Sequence, residues 1–233
     1  MAAGCVVIVG GSSGIGEDVA SHYASEGRTV YVSSRDQERA DEAAQRIGGD
    51  TRGLALDLAY PEGIEAGLTP VEGPVDYLII PAVLRDANAV KDFNVAGARD
   101  LAVLKIVGYP ETIHRLLDRF TDESSVLLFG GLAKERPYPG STTVTSVNGG
   151  VEKMVNTLTR EIAPIRVNAI HPGFILDSWY WEGNDAVVEA VLAKTPTGRP
   201  VLQRHVVDAV RFLLENDAMN GVNLVVDGGW LMG

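Results

Sequence analysis

Val6-Val7-Ile8-Val9-Gly10-Gly11-Ser12-Ser13-Gly14-Ile15-Gly16 decides the fold. Four apolar residues make a short strand, and the glycine run turns the chain into a helix marked by Ile15, Val19 and Tyr23 at four-residue spacing. The glycines serve different ends. Gly10 permits a tight turn, Gly14 lets backbone approach a pyrophosphate, and Gly16 lets helix and strand pack closely. With Ser12, Ser13 and Ile15 they form the expected phosphate cradle, because a helix N-terminus offers free N–H groups and a partial positive charge. A glycine cluster alone says little; one placed between a first strand and a first helix is specific.

Further along, short apolar runs at 29–33, 53–56, 75–80, 125–129, 166–170 and 222–226 join the first at 5–9. They are continuous rather than alternating, as parallel strands covered on both faces require. Helical patterns lie between them. Ala40, Ala43, Ala44 and Ile47 follow Asp36, an expected N-cap. Residues 145–163 carry the clearest stripe, in Val147, Val151, Met154, Val155, Leu158 and Ile162, and a further helix is expected near 206–215. Strand and helix alternate throughout. That predicts an α/β chain with a Rossmann-type, doubly wound parallel sheet and helices on both faces, as one domain over 1–233.

The 233 residues carry 31 Asp+Glu against 20 Lys+Arg, a formal charge of −11. An acidic chain with no Lys/Arg run argues against nucleic acid and anionic membrane as partners. No apolar run approaches the ~18 residues needed to cross a bilayer, and no basic segment precedes an apolar one, so a cytoplasmic protein is expected. The one cysteine, Cys5, excludes an internal disulfide and fits a reducing compartment. No His/Cys/Asp spacing resembles a metal site.

The second strand ends at Ser33-Ser34-Arg35. A carboxylate there would grip a ribose 2′-OH, whereas an arginine accommodates a 2′-phosphate, so Ser34 and Arg35 favour NADP(H) over NAD(H). Asp36 either pairs with Arg35 or repels that phosphate. The plain alternative is that Arg35 is a solvated charge at a helix start.

The chain resembles the short-chain dehydrogenase/reductase family over essentially its whole length. The resemblance is carried by residues 10–16, by Leu56-Asp57-Leu58, by Ile165-Arg166-Val167-Asn168-Ala169-Ile170-His171-Pro172-Gly173, and by residues 221–229 ending Val226-Asp227-Gly228-Gly229. It implies that Asp57 and Leu58 flank an adenine and that Pro172, Gly173 and Ile175 lie along a nicotinamide. It also places Ala82 beside the cofactor, in a segment altered to Ile80-Pro81-Ala82-Val83. Val9 departs from the family's usual Thr, so a hydroxyl that braces the glycine loop is missing. Asp177 replaces a Thr after the Pro-Gly turn, which puts the usual carboxamide contact in doubt.

Members of that family use an Asn-Ser-Tyr-Lys tetrad. By resemblance the Tyr position falls at Val144, the Lys at Asn148, the Ser at Gly131 and the Asn near Lys105; Asn94 sits too early. All four are changed, with Lys and Asn exchanged between neighbouring helices. Lys105, Asn148 and His171 are therefore the candidate catalytic residues. A buried lysine has its pKa lowered and suits acid–base work; the alternative is that Lys105 snorkels to solvent or makes a structural ion pair. Pro110 is expected to break the helix and open room for a water. His171 either titrates beside the nicotinamide or satisfies backbone groups.

Trp179, Tyr180 and Trp181 lie in the segment, about 176–200, that covers substrate in this family, with Tyr138 in a nearby loop. Three adjacent aromatics cannot all face a core. They line a cleft for a flat, apolar or aromatic small molecule, or they form a subunit seam. The resemblance further implies a homodimer or homotetramer paired through the helices holding Lys105 and the 147–162 stripe. Two functions remain open: an NADP(H)-dependent oxidoreductase with a non-standard proton donor, acting on an apolar or aromatic carbonyl or activated alkene, and an inactive NADP-binding sensor or assembly protein.

Overall fold

A computed structural model describes residues 4–178 and 181–233. Trp179 and Tyr180 lie outside the described residues. The chain runs β1 (Cys5–Ile8), α1 (Gly14–Ser25), β2 (Val30–Ser34), α2 (Gln37–Ile47), β3 (Thr51–Ala55), α3 (Ile64–Leu68) and β4 (Val75–Ile80). It continues through α4 (Val95–Ala102), a π-helical stretch (Val103–Gly108), α5 (Tyr109–Leu116), β5 (Phe120–Phe129), α6 (Thr142–Glu161), β6 (Arg166–Pro172), α7 (Asp185–Lys194), α8 (Gln203–Glu215) and β7 (Asn223–Val226).

The seven strands form one sheet in the order β3-β2-β1-β4-β5-β6-β7, every neighbouring pair parallel. The chain winds outward from β1 in one direction and returns through β4 in the other. The crevice beyond the carboxyl ends of those two strands is where ligands bind in sheets of this kind.

Pleating explains why the strands read as unbroken apolar runs. Val7, Leu78, Ile80, Val126 and Leu128 enter one core layer with α3, α5 and α6. Their neighbours Val6, Ile8, Ile79, Leu127 and Phe129 enter the opposite layer with α1, α2 and α8. The α6 stripe is spent on the first layer: Val151, Val155 and Leu158 are core residues, with Met154 and Ile162 packed against them. Exposed apolar residues on the helices of this side include Val95, Ile106, Val107 and Leu117. Asp36 caps α2 as expected, accepting from the Arg39 N–H at 3.0 Å.

Pro110 does not break its helix. The helix passes from α4 to α5 through the π-helical stretch, and Pro110 sits in the first turn of α5. Lacking an N–H, it leaves the carbonyl of Ile106 without its α-helical donor, and a wider turn absorbs the mismatch. Gly108 closes that turn. A Cβ there would stand 2.5 Å from the Leu58 carbonyl oxygen and 2.9 Å from the Leu58 Cβ, so only glycine lets the stretch lie on the loop after β3.

Gly108→Ala is expected to destabilise the protein by about 1–3 kcal/mol in urea denaturation. Gly149→Ala, where an added Cβ meets nothing within 4 Å, is the internal control. It should be neutral or stabilising by up to about 1 kcal/mol from helix propensity.

Candidate active site

The glycine loop is built by close approach. Gly10 has φ +96°, and a Cβ on it would lie 2.8 Å from the Ala82 Cα. A Cβ on Gly16 would collide with the Gly10 carbonyl oxygen. The hydroxyl absent at Val9 is replaced from the next strand: the Gly10 N–H donates to Ser33 Oγ at 3.0 Å, and the Ala82 N–H donates to the Val9 carbonyl at 3.1 Å. The loop therefore keeps a brace without that hydroxyl. Ser13 precedes α1 in extended backbone without a side-chain cap, so the first N–H groups of that helix point into the crevice uncapped.

Beside the loop an open cleft of about 400 Å³ is lined by Ser12, Ser13, Asp36, Arg39 and Arg46, among others. Arg46 is held by Glu17 at 3.1 Å and by the Ser12 carbonyl at 3.2 Å. Arg39 is the arginine of this cleft free of such a pair among the described residues, while Arg35 stands exposed just after Ser34. Asp57 accepts from the Ala59 N–H at 2.9 Å. The side chains of Leu58 and Ile175 are spent in the two core layers, so only their backbone is left to face a ligand. Pro172 ends β6, and Gly173 follows it in close contact with Asp227. Asp177 accepts from the Gln203 N–H at 2.9 Å at the start of α8. Two of these features fit a dinucleotide: a cradle that one methyl group would fill and an uncapped helix N-terminus above it. The cleft at the end of β2 is mixed in charge, with Arg39 and Arg46 among Glu17, Asp36, Glu38 and Glu42.

At the other end of the crevice lies an unusual cluster. Lys105 projects from the π-helical stretch and is 2% exposed. Its Nζ donates to the Phe129 carbonyl at 2.9 Å and to Asn148 Oδ1 at 3.0 Å. Among the described residues it has no carboxylate partner, so burial pushes it down to about 7. Lys105 thus neither snorkels nor pairs, and the two residue types exchanged between helices meet each other. The Tyr109 hydroxyl donates to the Ala82 carbonyl at 2.9 Å and lies 3.3 Å from the Phe129 carbonyl, with its phenol pushed up by burial. Sequence reading missed Tyr109; its signal was the Lys105-x-x-x-Tyr109 spacing on one helix.

Gly131 and His171 complete the cluster. The Gly131 N–H donates to His171 Nδ1 at 3.1 Å, so the ring carries its proton on Nε2 and donates it to Asn223 Oδ1 at 2.9 Å. His171 is fully buried with its pKa lowered by desolvation. Both nitrogens are committed, which makes it a neutral brace for the loop after β5 and leaves none for the catalytic part expected of it.

Other expectations divide. Asn94 caps α4, accepting from the Gly97 N–H at 3.1 Å. Tyr138 is 55% exposed, and its backbone closes a turn with Ser141. Trp181 packs on Phe174 with ring centroids 5.5 Å apart, and Phe174 meets Trp230 edge-on at 4.9 Å. Arg136 lies 4.4 Å over the Trp230 ring. Trp230 went unread because it is far in the chain from Phe174 and Trp181. Among the described residues no group of three or more His, Cys, Asp or Glu could hold a metal ion, and no helix is long and apolar enough to cross a membrane.

A family model described as enoyl-(acyl carrier protein) reductase matches residues 9–231. Carbonyl reductase family member 4 of Xenopus tropicalis is 30% identical over 230 residues, covering 95% of each chain. A short-chain dehydrogenase/reductase from Brucella melitensis, described as a glucose/ribitol dehydrogenase, superposes with a TM-score of 0.90 at 22% identity over 97% of this chain and 96% of its own. A small-chain dehydrogenase in complex with NADPH does so with a TM-score of 0.83 at 26% identity over 99% of both. The chain belongs to the short-chain dehydrogenase/reductase family of oxidoreductases.

The lowered pKa of Lys105 has a stability signature. Between about 7 and the ordinary 10.5 the unfolded chain binds the proton and the folded chain does not. Stability contributed at this site therefore rises with pH across that window, and the full cost of burying the charge is present below it. In urea denaturation Lys105→Met should gain most over the wild type near pH ~6, and the difference should shrink by pH ~9.

Proposed function

We propose that this short-chain dehydrogenase/reductase is an NADP(H)-dependent enzyme that reduces an apolar or aromatic carbonyl or activated alkene, with Lys105 as proton carrier. The observation that carries this reading is the Lys105 ammonium, buried at the carboxyl edge of the sheet between two neutral acceptors and no anion. An ammonium has three protons. Two are held by Phe129 and Asn148, and the third is the one that can leave. With its pKa near 7 the group is poised for proton transfer at neutral pH. Tyr109 keeps its own proton and helps fix the Phe129 carbonyl that Lys105 leans on.

When bound, the reduced nicotinamide supplies a hydride. The pyrophosphate is assigned to residues 10–16 and the α1 N-terminus, the 2′-phosphate to Ser34, Arg35 and Arg39, and the adenine to Asp57 with the Leu58 backbone. Ala82, Pro172, Gly173 and the Ile175 backbone are assigned to the nicotinamide side. Arg35 and Arg39, neither held in an ion pair among the described residues, support NADP(H), against which stand the carboxylates Asp36, Glu38 and Glu42 of the cleft at the end of β2. The NADPH-bound relative points the same way. An apolar substrate is supported by the Phe174, Trp181 and Trp230 cluster, in the region where the 176–200 segment is assigned to cover it. Self-association as a homodimer or homotetramer is assigned to the face exposing Ile106 and Val107.

NADPH oxidation measured by absorbance against a panel of aromatic ketones, quinones and enones should show turnover that declines as pH rises through about 7. Lys105→Met should lower the rate by about 10²–10⁴ and abolish that pH dependence. Tight NADPH binding without consumption across the panel would reject the enzyme and favour a cofactor sensor.

A further inference from the structure

We propose that Asn148 is a second catalytic residue, whose side-chain N–H₂ group holds the substrate's carbonyl oxygen in the room left by Gly131. The inference rests on the reductase reading above and deepens it. Lysine has only donors, so the amide must turn its oxygen toward Lys105, at 3.0 Å. The nitrogen then faces the other way. A Cβ built on Gly131 would lie 2.8 Å from Asn148 Nδ2 and 3.9 Å from Oδ1, so it is the nitrogen that looks at Gly131.

Two further facts make this a built donor. Asn148 is 4% exposed, and among the described residues its Nδ2 has no acceptor; it is not one of the fully buried orphan atoms, so the little exposure the residue keeps leaves this donor reachable. Gly131 has φ 173° and ψ 166°, extended backbone open to any residue. Backbone conformation therefore does not require glycine at 131. Space does, because any side chain would press on the Asn148 amide. The loop cannot drift away from this position, since the Gly131 N–H is tied to His171.

Gly131, Asn148 and Lys105 thus act as a unit. Lys105 orients the amide, Gly131 keeps a side chain off it, and a carbonyl oxygen placed there meets a neutral donor on the side of the amide away from the ammonium. As the carbonyl carbon gains hydride, negative charge builds on that oxygen. The amide N–H stabilises it, the third proton of Lys105 passes to it through an intervening water to give the hydroxyl, and bulk water restores the proton to the amine. A fixed donor of this sort is worth about 10²–10³ in kcat.

The test uses carbonyl-¹³C-labelled 1-tetralone, a flat aromatic ketone, bound to the full chain with NADP⁺ so that no reduction occurs. Calorimetry with NADP⁺ first establishes that each variant is folded. The carbonyl stretch should stand at lower wavenumber in the wild type than in Asn148→Ala. Gly131→Ala, which keeps the amide but crowds it, should shift the band upward as well. With NADPH, Asn148→Ala should lose about 10²-fold in kcat with KM changed far less. The double variant Gly131→Ser/Asn148→Ala, which replaces the amide by a hydroxyl, should recover part of both effects, which a merely structural asparagine would not allow. Coincident bands in the wild type and Asn148→Ala overturn the Asn148 assignment even if NADPH is consumed. A shifted band with no NADPH consumption by the wild type overturns the reductase reading and leaves Asn148 as a carbonyl-binding residue. No bound ketone band in the wild type overturns both.

Discussion

A buried positive charge without a negative partner sets the terms for the whole crevice. The Lys105 ammonium loses its water and receives two neutral oxygens in return, one from the end of β5 and one from α6. Neutral acceptors recover part of the hydration energy but not all of it, which is why the group titrates so low. A carboxylate at either position would lock the proton in place. Neutral partners keep it exchangeable, and they fix the direction of the Asn148 amide as well.

Everything around Lys105 serves to hold it there. The π-helical stretch sets the side chain facing β5, Gly108 lets that stretch lie against Leu58, and Tyr109 bridges toward the ends of β4 and β5 through the Ala82 and Phe129 carbonyls. His171 and Asn223 hold the neighbouring loop from below. Lys105 and Tyr109 set an ammonium 6.0 Å from a phenol ring on one helix, both reaching the Phe129 carbonyl, with the lysine preceding the tyrosine rather than following it as the family resemblance implies.

The sheet was legible because parallel strands must be apolar on both faces, and the glycine loop because its close contacts leave no room for a Cβ at Gly10 or Gly16. The meeting of Lys105 and Asn148 was legible only as an exchange of residue types. Tyr109 carried a spacing signal that the irregular turn around Pro110 obscured, while the space at Gly131 could not be read from spacing because the Asn148 amide of α6 sets it. Periodicity assumes a regular turn, and the π-helical stretch violates it. Ser33 was hidden for a different reason: its bond to Gly10 joins neighbouring strands, a contact 23 positions apart in the chain. The aromatic cluster joins Phe174 and Trp181, after β6, to Trp230 near the end of the chain, and only tertiary structure unites the two segments.

The stretch after β6 leaves the sheet and returns through a narrow neck. Ile175 pairs with Val201, the Leu176 N–H donates to the Val201 carbonyl at 3.0 Å, and Asp177 holds the Gln203 N–H. Because the two ends are fastened to each other, the chain between them closes a loop whose length costs little entropy. The neck is not its sole hold: Val191 and Thr195 are buried, and a Cβ on Gly228 would stand 2.9 Å from Thr195 Cγ2, so the excursion is pinned a second time to the turn after β7 and any insertion is best tolerated between those two fastenings.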